Sequence, residues 1–231
     1  MLDEGRLSRV IEKMTTDYLL ITDPVSIAYL CGKKIEPGER FLGLLIGKRI
    51  EPVLILNQLF RFSEEIGVRV EYYKDTDRIT TIISKFIDKN SSLGVDKIMP
   101  ARFLIPMMEE SIATEFKLGS YAVDHTRAVK DAREQELMRA ASHINDLAMA
   151  EFKKLIHEGV TEVEVASHML DIYLKLGASG YSFEPIVAFG KNAADPHHMP
   201  DDTVLQEGDT VLFDVGCIVN GYCSDMTRTF F

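Results

Sequence analysis

Apolar residues along the first half of the chain fall into short runs bounded by polar and turn-forming residues. Residues 18–22, 41–46, 53–57, 68–73, 93–96 and 120–123 are such runs, rich in aliphatic and β-branched side chains, and they predict strands. The stretches between them carry a helical period. Asp23 before Pro24 is a capping residue followed by proline at the first helical position, and Gly32 marks the stop, so a short helix is expected there. Residues 76–89 bring Ile79, Ile82, Ile83, Phe86 and Ile87 to one face. Residues 101–116, with Pro106 near their start, are expected to be helical too. This alternation predicts an α/β domain over residues 1–125, a mixed sheet with helices.

From residue 126 the pattern changes. Leu137, Ala141, Ile144, Ala148, Phe152 and Leu155 recur every three or four residues behind an Asp131/Glu134 capping box, which predicts one long helix over residues 131–158. Gly159 ends it. Thr161 and Glu164 repeat the capping pattern for a second helix that runs to Gly177. A β-rich run at 183–189, a polar loop at 190–209 and two β-rich segments at 210–219 and 222–231 complete the chain. Residues 126–231 therefore read as a second, α+β domain. No internal repeat or low-complexity tract is present.

The last two segments flank Asn220-Gly221, a dipeptide that tolerates positive φ at both positions and favours a tight type I′ hairpin. The turn fixes the register: Val219 faces Tyr222, paired numbers sum to 441, and Asp214 stands opposite Thr227 while Gly216 stands opposite Asp225. Because side chains alternate along a strand, Asp214, Gly216, Asp225 and Thr227 share one face. Diagonal neighbours lie roughly 7 to 8 Å apart at the backbone. That spacing suits two carboxylates gripping a metal pair about 3.5 to 4 Å apart. Gly216, having no side chain, would leave room for an ion. The opposite face carries Val211, Phe213, Val215, Val219, Met226 and Phe230, a core face. An aspartate on the solvent face of a hairpin is also common without any metal, and a single bulge would separate the pair. Aspartate is nevertheless depleted in strands, and this face combines Asp214 and Asp225 with a glycine and the threonines 227 and 229.

Composition narrows the partners. The 231 residues are 46% hydrophobic and 27% charged, the profile of a chain that folds. With 36 acidic and 26 basic side chains the formal net charge is −10, which repels phosphate backbones and anionic lipid surfaces. Nucleic acid and membrane are therefore not expected as partners. No apolar run approaches the roughly 20 residues of a spanning helix, and the first residues lead into no apolar signal region. A cytoplasmic location is expected. The 3 cysteines make no disulfide framework, and Cys217 and Cys223 fall on opposite hairpin faces, so they should not bridge.

Several long motifs occur in order: Ser182-Phe-Glu-Pro-Ile-Val-Ala-Phe-Gly-Lys-Asn-Ala-Ala-Asp-Pro-His-His, Leu205-Gln-Glu-Gly-Asp, Phe213-Asp-Val-Gly, and Gly221-Tyr-Cys-Ser-Asp-Met-Thr-Arg-Thr. Together they resemble the Xaa-Pro aminopeptidase and prolidase (Xaa-Pro dipeptidase) family of metallopeptidases. The resemblance covers the whole chain: residues 1–125 are similar to its creatinase-type N-terminal domain, and residues 126–231 to the first half of its pita-bread catalytic domain. It implies cleavage of the bond before proline with two divalent metal ions, manganese, cobalt or zinc. It also implies that proline-containing peptides are the substrates and that the protein forms a homodimer. By the same resemblance Asp214 would hold one metal and Asp225 would bridge both. Hard carboxylate oxygens suit manganese. His197, twelve residues before Asp209, would be the catalytic histidine, with its neighbour His198 as a substrate-binding group. Thr227, facing Asp214, would donate a hydrogen bond that steadies that ligand.

The family's remaining ligands, one histidine in a His-Gly context and two glutamates, belong on segments beyond residue 231. The pita-bread domain therefore reads as incomplete, and the chain as cut short. On its own it is expected to bind metal weakly and not to turn over. A non-catalytic pita-bread binding module is the alternative from another functional class, and retention of the Asp214/Asp225 pair argues against it. The pair argues equally against a metal-free creatinase-like hydrolase. A methionine aminopeptidase, which usually lacks the N-terminal domain, ranks lower.

Overall fold

Residues 1–231 are all described by the computed structural model, in which Met1–Val129 and Lys130–Phe231 form separate units. The boundary falls after Val129 because the last helix of the first unit runs through residue 125. In chain order the first unit comprises α1 (Glu4–Lys13), β1 (Tyr18–Ile21), α2 (Pro24–Cys31), β2 (Leu42–Gly47), β3 (Ile50–Asn57), β4 (Arg69–Tyr73), α3 (Ile79–Ile83), β5 (Ser92–Val95), α4 (Ala101–Glu109), β6 (Glu115–Leu118) and α5 (Ser120–Ala128). The strands form one six-stranded sheet of order β4-β3-β2-β1-β5-β6. Pairing is antiparallel at β1/β2 and β2/β3 and parallel elsewhere, so the sheet is mixed.

Both faces of this sheet are covered. Leu19, Ile21, Leu44, Ile46, Leu54 and Leu56 pack with residues of α1, α2 and α5. Leu20, Leu45, Val53, Ile55, Leu93 and Val95 pack with Ile82, Ile83 and Met107 of α3 and α4. That is why the strand runs are continuously apolar rather than alternating, the mark of strands buried on both sides. Asp23 caps α2 by accepting from Val25 N and Ser26 N, with Pro24 in the first turn and Gly32 left-handed at the end, as the sequence predicts.

Some elements depart from expectation. Residues 120–123 are not a strand but the start of α5, and the edge strand is Glu115–Leu118 instead, paired parallel to β5. Tyr121 and Val123 carry β propensity, but Ser120 Oγ accepts from Lys97 N at 2.6 Å and Val123 turns into the core, so tertiary context overrides it. The helix expected over 101–116 stops at Glu109, where Ser111 adopts φ 49° and redirects the chain toward β6. Regular helix within 76–89 is limited to Ile79–Ile83.

The second unit comprises α6 (Ala132–Phe152), α7 (Glu162–Lys175), β7 (Gly180–Tyr181), β8 (Ile186–Phe189), β9 (Val211–Val215), β10 (Cys217–Val219), β11 (Tyr222–Cys223) and β12 (Met226–Phe230). Asp131 and Glu134 make the reciprocal capping box that opens α6. This helix ends at Phe152 and tightens into a 3₁₀ turn over Lys153–Leu155, short of the predicted residue 158. The strands form two three-stranded sheets, β11-β10-β7 and β12-β9-β8. The fold is thus an α/β unit built on a mixed sheet, followed by an α+β unit, the two classes the sequence predicts. No helix is long and apolar enough to cross a membrane.

Asn220 and Gly221 have φ 50° and 81°, the two positive values of a type I′ turn. The register follows: Val219 pairs with Tyr222, Val215 with Met226 and Asp214 with Thr227. Between these two ladders the hairpin passes from one sheet to the other at Gly216 and Ser224. There Cys217 N–H donates to Ser224 Oγ at 3.1 Å and Ser224 N–H to Cys217 O at 2.9 Å, while Ser182 Oγ donates to Ser224 O at 2.8 Å. A buried polar pair steadies the same place: Tyr173 OH donates to Asn145 Oδ1 at 2.6 Å, and Asn145 Nδ2 to Val215 O at 3.1 Å. Val211, Phe213, Val215, Val219, Met226 and Phe230 do form the core face, against α6 and α7. All three cysteines are free.

Candidate metal centre

Asp214 sits on the central strand of the β12-β9-β8 sheet, with Ile186 on one side and Thr227 on the other. Burial alternates along β9, so Val211, Phe213 and Val215 are enclosed while Leu212 and Asp214 lie on the half-open face. Oδ1 of Asp214 is nonetheless shielded from solvent and has no hydrogen-bond partner. A buried carboxylate oxygen without a donor carries a desolvation cost that a hydrogen bond or a cation must offset. Thr227 stands directly opposite in register, but no hydrogen bond joins its side chain to Asp214.

Asp225 is exposed and lies in the break between β11 and β12, next to the residues that pair with β9. The break places it between the two ladders of the hairpin rather than within either. The expectation that Gly216 leaves space for an ion needs correction. A Cβ at Gly216 would lie 2.1 Å from both Ser182 Oγ and Ser224 O, so the glycine makes room for the chain crossing at the sheet break. The residues present still fit a divalent cation, because Asp214 offers an orphaned hard oxygen and Asp225 a free exposed carboxylate on the same hairpin.

The histidines of the 190–209 loop differ from one another. His197 is exposed, and its backbone N–H donates to Asp195 Oδ1 at 3.0 Å. The His198 side chain is only 13% exposed, and its Nε2 lies 2.6 Å from Oε2 of Glu162, a fully buried residue in the first turn of α7. Glu162 also accepts from Phe189 N at 2.7 Å and Asn192 Nδ2 at 3.0 Å on Oε1, and from Asp201 N at 3.1 Å on Oε2. The loop thus closes onto the start of α7, whose Glu162 and Val163 N–H groups donate in turn to Thr203 O and Asp201 O. Hydrogen bonds from Thr203 hold the Asp201 carboxyl below the usual carboxylate range.

Glu162, His198 and Asp201 bring ligand-type atoms within 4.8 Å of one another. This is a closed clasp rather than a second cation site, since donors already occupy both oxygens of Glu162. Sequence reasoning took Glu164 as the box partner of Thr161 and passed over Glu162, which reads as an ordinary acidic residue in a helix's first turn. Its only signal is position: a glutamate just after the Thr161 cap that is buried because the loop folds over it.

Residues 5–129 match the creatinase/prolidase N-terminal domain model, and residues 136–231 match metallopeptidase family M24. An uncharacterized peptidase of Staphylococcus epidermidis is 32% identical over 96% of this chain, and one of Staphylococcus aureus is 31% identical over 97%. Among solved structures, the dipeptidase PepE from Mycobacterium ulcerans superposes with a TM-score of 0.87 at 27% identity, covering 98% of this chain and 64% of its own. The prolidase from Pyrococcus horikoshii gives 0.84 at 26% identity, covering 97% and 64%. The chain spans 64% of the length of the Staphylococcus epidermidis relative. With both units matched in order, the chain belongs to the creatinase/prolidase N-terminal domain family over residues 5–129, and its residues 136–231 match metallopeptidase family M24.

Proposed function

We propose that this chain contributes the first metal ligands and the histidine loop of a dinuclear peptidase that cleaves the bond before proline in dipeptides or at peptide N-termini. The observation that carries the reading is Asp214 Oδ1, a buried oxygen without a donor on the half-open face of β9. A network built only for stability would give that oxygen an N–H partner, as it does for Glu162. Asp214 and Asp225 would hold two divalent ions, with manganese favoured by the all-oxygen character of the pair. When bound, such ions polarise the scissile carbonyl and activate water.

The chain's own residues do the rest. The tight Asn220-Gly221 turn and the 441 register bring Asp225 back alongside the strand that holds Asp214. His197, exposed in the loop, would contact the substrate carbonyl and steady charge as it develops there. His198, held by Glu162, would bind substrate beside it. Proline-containing peptides are the substrates, as for the prolidase relatives. Self-association of two copies belongs to the same reading, and sedimentation velocity at tens of micromolar checks it, a strict monomer counting against it.

The decisive variant is Asp225→Asn in a polypeptide that also carries the family's remaining ligands. Metal content and Xaa-Pro dipeptide turnover should fall together, while the metal-free melting temperature stays the same or rises slightly because carboxylate repulsion is relieved. A variant that keeps both metals and near-normal turnover contradicts the proposal.

A further inference from the structure

Glu162 is a buried carboxylate that the metal reading does not use. It stands in the first turn of α7 and is 0% exposed. Three N–H donors, from Phe189, Asn192 and Asp201, converge on it, and His198 Nε2 approaches the same Oε2 that takes the Asp201 N–H. With N–H donors on both oxygens, the carboxyl group of Glu162 acts as an acceptor on each side. His198 Nε2, 2.6 Å away, must then present a proton, since two lone pairs at that distance would repel. The other ring nitrogen is in a different position. Nδ1 of His198 makes no hydrogen bond and is not among the buried orphaned atoms, so it meets solvent. In a neutral imidazole one nitrogen donates and the other accepts, so a proton fixed at Nε2 leaves Nδ1 as the acceptor.

We propose that Glu162 is a positioning residue that fixes His198 in the Nε2–H tautomer, so that Nδ1 is offered outward as an acceptor for an N–H donor of a bound peptide. The peptide part rests on the peptidase reading, but the tautomer does not. A free imidazole samples both tautomers. Here the choice is made by a carboxylate that also ties Phe189, Asn192 and Asp201, so the ring's orientation and the loop's conformation are set by one group. Carboxylates that orient a working histidine through its far nitrogen act in the same way at metal sites and in hydrolytic triads.

The test uses the 231-residue chain labelled with ¹⁵N-histidine and read by long-range ¹H–¹⁵N correlation, with His198→Gln to assign the resonance. No metal or substrate is needed, so failure here is separate from failure of the peptidase reading. The expected spectrum shows neutral His198 protonated at Nε2 and bare at Nδ1. Glu162→Gln can turn its amide nitrogen to His198 and donate to Nε2, which should move the tautomer ratio toward Nδ1–H by about tenfold or more. A wild-type ring protonated at Nδ1, or an even mixture of tautomers, overturns the proposal, as does a folded Glu162→Gln variant with an unchanged ratio. If that variant does not fold, the wild-type spectrum alone decides. Alanyl-proline, added until other resonances stop shifting, should move Nδ1 and leave Nε2 in place. If Nδ1 does not move, the peptide is not its partner.

Discussion

Glu162 and Asp214 are carboxylates of the same unit, and each has oxygen shielded from solvent, yet their surroundings are opposite. Glu162 is enclosed by four donors from β8, the loop after it and His198. Asp214 sits in a central strand with an aliphatic neighbour on one side and a threonine that does not reach it on the other, and its Oδ1 has no partner. Burial alone therefore does not mark a functional carboxylate. A satisfied carboxylate stabilises the chain that supplies its donors, whereas an orphaned one costs stability until something binds. The clasp shapes the loop, and the hairpin leaves an unsatisfied oxygen on its half-open face.

The largest effect should come from breaking the satisfied side of this contrast. Glu162→Leu strands the Phe189, Asn192, Asp201 and His198 donors, and urea unfolding should show a loss of about 3 to 5 kcal/mol. Tyr173→Phe removes only the hydroxyl that holds Asn145 against Val215 O at the sheet break, so about 1 to 2 kcal/mol should be lost. Asp214→Asn tests the orphaned side. In metal-free protein it should change stability by no more than about 1 kcal/mol, toward stabilisation, because a buried oxygen with no donor loses its charge. The sign is opposite to that for Glu162.

The smallest effect concerns pH. Because Thr203 lowers the Asp201 carboxyl, the folded form holds fewer protons than the unfolded one near and just below the ordinary carboxylate value of about 4. The stability this provides is present above that value and is lost as the pH falls through the lowered one. Thr203→Val, which removes the hydroxyl and keeps the backbone N–H bond to Asp201 Oδ1 at 2.7 Å, should therefore flatten the acid limb of a melting-temperature profile slightly, and an unchanged limb would assign the lowering to the backbone N–H alone.

How much of this was legible depended on whether local chemistry or tertiary closure decided the matter. The hairpin was readable because Asn220-Gly221 fixes turn type and register by backbone geometry alone, and the paired positions follow by counting. The caps at Asp23 and Asp131 were readable for the same reason. Residues 120–123 were not, because Tyr121 and Val123 favour strand while the Lys97 to Ser120 hydrogen bond and the core select helix. Gly216 was assigned a cation, since register gives its partner but not that Ser182 arrives from another segment. Glu162 was passed over because its partners lie 27 to 39 residues away, beyond any spacing rule.

An orphaned Asp214 oxygen that seats a cation and a closed Glu162 clasp that does not are distinguished by where a cation binds. Manganese binding to the 231-residue chain, followed by the loss of the free-ion electron paramagnetic resonance signal, measures this directly in the wild type, Asp214→Asn and Glu162→Gln. Weak binding in the wild type, lost in Asp214→Asn and kept in folded Glu162→Gln, is the predicted result. Binding that survives Asp214→Asn and disappears in folded Glu162→Gln would place the cation at Glu162, His198 and Asp201 and contradict the account.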